Sequence, residues 1–263
     1  MSGGADSLSL LVLAAAAGCD ATAIHVDHGL RAGSADEAAV VSAAAERFGV
    51  AFRSVAVAVE PGPNLEARAR AARYGALPAG VLTGHTADDQ AETVLLNLLR
   101  GAGLDGLAGF DPSRRPIRAL RRHDTVALCE AIGLDPVDDP TNRDPRHRRN
   151  RVRAEVLPLL DAVAQRAVVP VLARQAELLR DDANLLDELA RAIDPTDARA
   201  VAAAPLPLAR RAVRRWLRRG PEQHPPDAAT VARVLAVARG EAGATGVGPG
   251  PSVRRRGGRP HLG

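Results

Sequence analysis

Met1-Ser2-Gly3-Gly4-Ala5-Asp6-Ser7 runs straight into ADSLSLLVLAAAAG (residues 5–18), and these two pieces decide how the first half of the chain is read. Gly3 and Gly4 let the backbone turn with positive φ and approach an anion with no Cβ in the way. Ser2 and Ser7 add hydroxyl donors. The alanine- and leucine-rich run predicts a helix, so the loop meets a helix N-terminus whose unpaired N–H groups and dipole favour phosphate. Ser2, Gly3, Gly4, Ala5, Asp6 and Ser7 are thus the candidate phosphate cradle. An acid in such a cradle makes sense once a divalent cation joins it to phosphate oxygens, which makes Asp6 the candidate Mg2+ ligand. A plain N-terminal turn, with Asp or Ser capping a helix, is the competing reading of the same residues.

Outward from the loop, apolar runs and helical patterns alternate. Residues 21–27 (ATAIHVD) predict a buried strand, 34–48 a helix, and 51–59 (AFRSVAVAV) a strand by their period-2 alternation. Asn64 is placed to cap a helix reaching Leu77, with Glu66 in its first turn. Residues 80–83 (GVLT) predict a short buried strand, and 87–99 another helix. Strands alternating with helices at this spacing indicate an α/β fold with a doubly wound parallel sheet. Ligands of such sheets bind beyond the strand C-termini, where Asp27-His28 and Gly84-His85 fall. From about Leu160 the pattern turns helical, with stretches over 166–193, 207–219 and 225–239, and residues 240–263 predict a short strand pair or a frayed tail. A boundary near 156–162, punctuated by Pro158, divides residues 1–158 from a smaller, mainly helical domain at 159–263.

The 263 residues are 46% hydrophobic and 25% charged, a globular mix, but only 2% aromatic, so Ala, Val and Leu must build the core. No stretch is long and apolar enough for a membrane span, and no signal peptide precedes the loop, so a cytoplasmic protein is expected. Cys19 and Cys129 form neither a disulfide framework nor a CxxC site. Every basic residue among the 35 Lys plus Arg is arginine, and the charge is segregated. Residues 1–142 carry 12 Arg against 18 acids, whereas 143–263 carry 23 Arg against 13, which points to a polyanionic partner for the second part. Genomic GC bias explains arginine in place of lysine but not this segregation.

Six motifs occur in order: SGGADS (2–7), HVDHGLR (25–31), NLEARAR (64–70), GHTADDQAET (84–93), DPTN (139–142) and RNRVR (149–153). Together they resemble the tRNA(Ile)-lysidine synthetases, a family of the PP-loop, or N-type ATP pyrophosphatase, superfamily. SGGxDS marks only the superfamily; GHTADDQAET and RNRVR make the match specific, and it covers residues 2 to about 160. The resemblance implies an adenine nucleotide alpha hydrolase-like sheet and a two-step reaction. ATP adenylates the C2 oxygen of the wobble cytidine in isoleucine tRNA with a CAU anticodon, and the ε-amine of L-lysine then displaces AMP. ATP and Mg2+ are the implied cofactors, isoleucine tRNA and L-lysine the partners; a homodimer is left open. In the family a buried strand leads into the loop, so the first strand is expected to lie upstream of Met1 in the natural product.

The residue chemistry agrees with that picture. Asp6, His85 and Arg70 are the candidate catalytic residues. His85, at a strand end, could meet the phosphates or developing charge, or be an ordinary loop residue. Arg70 belongs to a group with Glu66, Arg68 and Arg73 that suits either a phosphate-facing patch or a salt-bridge ladder. Asp89 and Glu92 lie three apart on one helix face and make a pocket for an ammonium, which the resemblance assigns to lysine; a solvated helix face is the plainer reading. Arg148, Arg149, Asn150, Arg151 and Arg153 are the candidate tRNA contacts, because arginine binds phosphate bidentately; a charged linker is the alternative. A PP-loop cytidine thiolase, usually carrying paired cysteines, and a non-catalytic RNA-binding relative are the competing functions.

Overall fold

The computed structural model describes residues 1–27, 29, 34–59, 62, 65–218, 226–248, 252–256 and 259–262. These fall into two compact units, Met1–Glu177 and Leu178–Gly263, with the division inside a single long helix.

The first unit starts with α1 (Ala5–Ala16), β1 (Thr22–Asp27), α2 (Ser34–Arg47) and β2 (Ala51–Ala56). β1 and β2 pair in parallel with Thr22 opposite Ala51 and Asp27 opposite Ala56, joined by α2 as a crossover requires. Leu11 and Val12 of α1, Ala23 of β1, and Val41 and Ala45 of α2 close one core with Phe48, Phe52 and Ile132 against it. Small side chains fill it, as the scarcity of aromatics demands. Along the edge of β1 that β2 leaves open, the Met1 amino group donates to Ile24 O and Met1 O lies 2.9 Å from His25 Nδ1.

α3 (Leu65–Gly75) follows, and then one expectation fails. Residues 80–83 form no strand. Val81 N–H donates back to Pro78 O in a turn, and Thr83 N–H donates to Arg114 O. A strand needs a row of lateral partners, and among the described residues no strand pairs with this segment. It runs without regular structure to Gly84, which packs directly on the Asp6–Ser7 backbone.

α4 (Ala87–Leu99) matches its predicted bounds and organises what surrounds it. Thr86 and Asp89 form a capping box at its start. Gln90 receives Phe110 N–H and donates to Ala108 O, and Asn97 donates to Gly106 O, fixing the connection that contains α5 (Leu104–Leu107). α6 (Arg122–Ala131), absent from the sequence reading, packs on α1 through Cys129, Leu8 and Ser9 Oγ donating to Thr125 O. α7 (Arg148–Arg151), a π-helical turn over Val152–Val156, and α8 (Leu157–Ala164) then form one helical run whose Val152 and Leu157 pack on Ala87, Ala91 and Leu95.

α9 (Val169–Arg191) carries the chain into the second unit. There α10 (Ala198–Ala203), α11 (Leu206–Leu217) and α12 (Ala228–Arg239) enclose Val201, Val213, Val234 and Val237. The C-terminal segment is neither frayed nor a strand pair. β3 (Ala244–Gly246), β4 (Ser252–Arg256) and β5 (Arg259–Leu262) form an antiparallel sheet, with Val253 buried against α12.

Candidate active site

The glycine loop is built as a turn into α1. Gly3 sits at φ +71°, where a Cβ would also meet Val137 Cγ2 at 2.9 Å. Gly4 caps the helix with no side-chain bond to the first-turn N–H groups, and it accepts Ser7 and Leu8 N–H at 3.0 Å each. Ser7 Oγ donates to Gly4 O, and Ser2 Oγ reaches Ser7 Oγ at 3.5 Å. A helix N-terminus with a glycine cap and two hydroxyls beside it is an anion-binding geometry.

Asp6, in the first turn of α1, turns toward α6. Thr125 Oγ1 donates to its Oδ1 at 2.5 Å, and Arg122 Nε lies 3.7 Å from its Oδ2. Burial pushes the Asp6 carboxyl above its ordinary value, although the Thr125 hydrogen bond and Arg122 pull it down. Asp6 could hold a divalent ion in the way Mg2+ prefers, through one carboxylate with phosphate and water oxygens as its other ligands. Among the described residues no group of three His, Cys, Asp or Glu side chains makes an all-protein metal cage.

The acids of α4 meet arginines from two other elements. Glu92 has 0% of its side chain exposed and accepts from Arg122 Nη1 (3.2 Å), Arg149 Nε (2.6 Å), Arg153 Nε (2.7 Å) and Arg153 Nη2 (3.3 Å). A carboxylate has about four acceptor positions, so all of them are taken. Asp89 accepts Thr86 N–H at 2.9 Å on Oδ2 and Arg122 Nη2 at 3.2 Å on Oδ1. Asp88 takes Arg121 bidentately at 3.0 and 3.1 Å, plus the Arg122 backbone N–H at 2.8 Å. Burial raises the Asp88 carboxyl, but these hydrogen bonds outweigh it and hold the group below its ordinary value. For Arg122 burial works against the charge, and Asp89, Glu92 and Asp6 overcome it. Each acid taken alone would be costly to bury; together with the guanidiniums they are compensated.

The structure therefore brings together Asp6, Asp89, Glu92, Arg149 and Arg153 of the residues selected from sequence. Arg149 and Arg153 point at Glu92, with Arg149 also donating to Asp89 O and Thr93 Oγ1. Arg148 is exposed, Arg151 pairs with Glu155, and Asn150 holds the Thr141–Asp144 turn by donating to both carbonyls. His85 follows Gly84 just before α4, its Nδ1 2.8 Å from Thr83 Oγ1 and its ring 5.5 Å from that of Phe110. The side chains of Glu66 and Arg70, and residues Asn64, His28 and Arg31, lie outside the described residues. Sequence reading missed Arg121, Arg122 and Thr125. The available signal was the Arg121-Arg122-His123 run, whose cations oppose the dipole at a helix start and so mark a local rule broken for a reason.

Comparison with known proteins follows the same lines. The PP-loop domain family matches residues 1–160. The tRNA(Ile)-lysidine synthase of Nocardia farcinica is 42% identical over 275 residues, covering 97% of this chain and 86% of that protein. This chain belongs to the tRNA(Ile)-lysidine synthase family of PP-loop proteins. The synthases of Mycolicibacterium paratuberculosis and Mycobacterium leprae are 45% and 44% identical, each over 84% of this chain and 73% and 74% of their own. A solved U34-tRNA thiolase, NcsA from Methanococcus maripaludis with its [4Fe-4S] cluster, superposes with TM-score 0.55 at 20% identity, over 68% of this chain and 71% of its own. That likeness concerns the fold alone. In this chain the Glu92, Arg149 and Arg153 members of the acid–arginine cluster come from the GHTADDQAET and RNRVR motifs.

Proposed function

We propose that this protein ligates L-lysine to the wobble cytidine of isoleucine tRNA with a CAU anticodon, using ATP in a cytoplasmic reaction that releases pyrophosphate and AMP. The observation that carries this reading is the convergence of three separate motifs on one site in a chain 42% identical to a lysidine synthase over nearly its whole length. In the first step the cytidine C2 oxygen attacks the α-phosphorus of ATP and pyrophosphate leaves. The Ser2–Ser7 loop and the α1 N-terminus hold the departing phosphates; Asp6 would be the protein ligand of a Mg2+, which would supply positive charge to neutralise them. His85 follows Gly84, which packs on the loop, and would contact the phosphates; Arg70 would add charge from α3.

In the second step the lysine ε-nitrogen, having lost a proton, attacks C2 and AMP departs with the oxygen. Asp89 and Glu92 receive the ammonium form and orient it. Since Glu92 already holds four guanidinium N–H groups, lysine enters by exchange with one of them. Arg148 and Arg151 face outward to the tRNA backbone, while Arg149, Asn150 and Arg153 support that surface from behind. The two cysteines, one exposed and one buried, give no paired-thiolate site that would favour thiolation.

The test is ATP-dependent incorporation of labelled lysine into an isoleucine tRNA transcript with a CAU anticodon, followed alongside pyrophosphate release. Incorporation that needs both ATP and lysine is expected. Tight tRNA binding with neither incorporation nor pyrophosphate release, in a well-folded protein, overturns the proposal.

A further inference from the structure

The Arg122 guanidinium bridges Asp89 Oδ1 and Glu92 Oε1, with Nη2 3.2 Å from the first and Nη1 3.2 Å from the second, whereas Arg149, 2.6 Å from Glu92 Oε2, reaches Asp89 Oδ1 only at 3.7 Å. An ammonium engaging both acids must occupy the same place. Among the three arginines on Glu92, Arg122 makes no contact with it shorter than 3.2 Å. Arg149 and Arg153 hold Glu92 through short Nε contacts of 2.6 and 2.7 Å, the range of strong charge-assisted bonds. The Arg122 contacts, 3.2 Å to each acid, are longer. Its backbone stays fixed whatever the side chain does, because Arg122 N–H is held by Asp88 at 2.8 Å and Arg121 grips the same carboxylate. The guanidinium has a third carboxylate within reach, with Nε already 3.7 Å from Asp6 Oδ2.

Resting on the assignment of Asp89 and Glu92 to lysine, we propose that Arg122 is a placeholder for the substrate ε-ammonium. With the subsite empty it closes the acid pair; when lysine enters it swings toward Asp6 and the phosphates. A purely structural tie between α6 and α4 does not require it, since Asp88 with Arg121 and the Arg122 backbone already makes that tie. A cation in the first turn of α6 also opposes the helix dipole, a cost that a role at the acids explains.

The two roles predict opposite signs. By equilibrium dialysis with labelled L-lysine on the full chain, Arg122→Gln, which removes the competitor, is expected to bind lysine about fivefold more tightly or better. Arg122→Lys puts a point charge in the ammonium position without the guanidinium fork and is expected to bind it about tenfold more weakly. In turnover, Arg122→Gln should lower KM for lysine and also lower kcat. A lysine Kd for Arg122→Gln equal to or weaker than wild type overturns the proposal. Should that variant unfold, the wild-type protein answers: arginine-selective dicarbonyl labelling read by mass spectrometry should find Arg122 more reactive at saturating lysine and Arg149 and Arg153 unchanged. Unchanged or reduced labelling of Arg122 overturns the placeholder alone. Wild-type protein that fails to bind lysine overturns the lysine assignment beneath it.

Discussion

Asp6 shows at the scale of one residue how function is kept against stability. Burial, ahead of the opposing Thr125 and Arg122 contacts, holds its carboxyl above the ordinary value of 3.8. A carboxyl with a raised folded pKa binds its proton more tightly in the folded chain. Its charge therefore costs stability increasingly as pH rises from the unfolded to the folded pKa, and fully above that. Asp6→Asn is expected to raise Tm at pH 7, with the gain shrinking toward nothing as pH falls below about 3.8, while pyrophosphate release is lost. Thermal melts at the two pH values check this; an equal gain at both would show that charge burial is not the cause. Glu92 is the opposite case, with its burial fully compensated by guanidiniums. Its side-chain type and its spacing from Asp89 were legible in the sequence. The arginines that saturate it were not, because Arg122 lies 30 positions away and Arg153 61, and no local pattern encodes which distant cation a carboxylate meets.

Among the elements, the segment at residues 80–83 before α4 departs from the strand that its composition predicts. Its Gly-Val-Leu-Thr composition suits a strand, yet strand formation depends on a neighbour, and neighbours are a property of topology. What the segment does instead is bring Gly84 against the loop: a Cβ there would lie 2.5 Å from Asp6 O, 2.8 Å from Asp6 C and 3.1 Å from Ser7 Cα. All three are backbone atoms, so the collision cannot be relieved by a rotamer. Gly84→Ala is expected to cost about 1–3 kcal/mol and to weaken ATP binding by displacing the α1 N-terminus. Denaturant unfolding together with an ATP titration measures both, and wild-type values for the pair would mean the contact is unimportant. The helices fared better from sequence because their signals are internal to them. The sequence predicts a helix over 87–99, and the structure gives α4 as Ala87–Leu99. α6 was missed, since Arg121-Arg122-His123 at its start contradicts the usual charge preference of a helix N-terminus.

For the whole molecule, the excess of 23 Arg over 13 acids in residues 143–263 sets the expectation for RNA. tRNA affinity should fall linearly with salt on logarithmic axes, by about 0.7–0.9 per phosphate contact. Arg148→Gln should reduce the magnitude of that slope by about 1; an unchanged slope in a filter-binding series would remove Arg148 from the interface. The two compact units and the antiparallel sheet over residues 244–262 complete the architecture. By itself the sequence determined the chemistry on offer: the glycine loop, the α/β alternation, the acid pair on α4, the arginine stretch and the family they resemble. Those are local signals, carried by residue type and short spacing. Only the tertiary structure decided that the loop's Asp6 meets α6, that residues 80–83 form no strand, and that Arg149 and Arg153 of RNRVR turn inward onto Glu92. The reason is physical: a buried charge is satisfied by whatever packing brings within 3 Å or so, and packing is settled by the assembled chain rather than by any stretch of it.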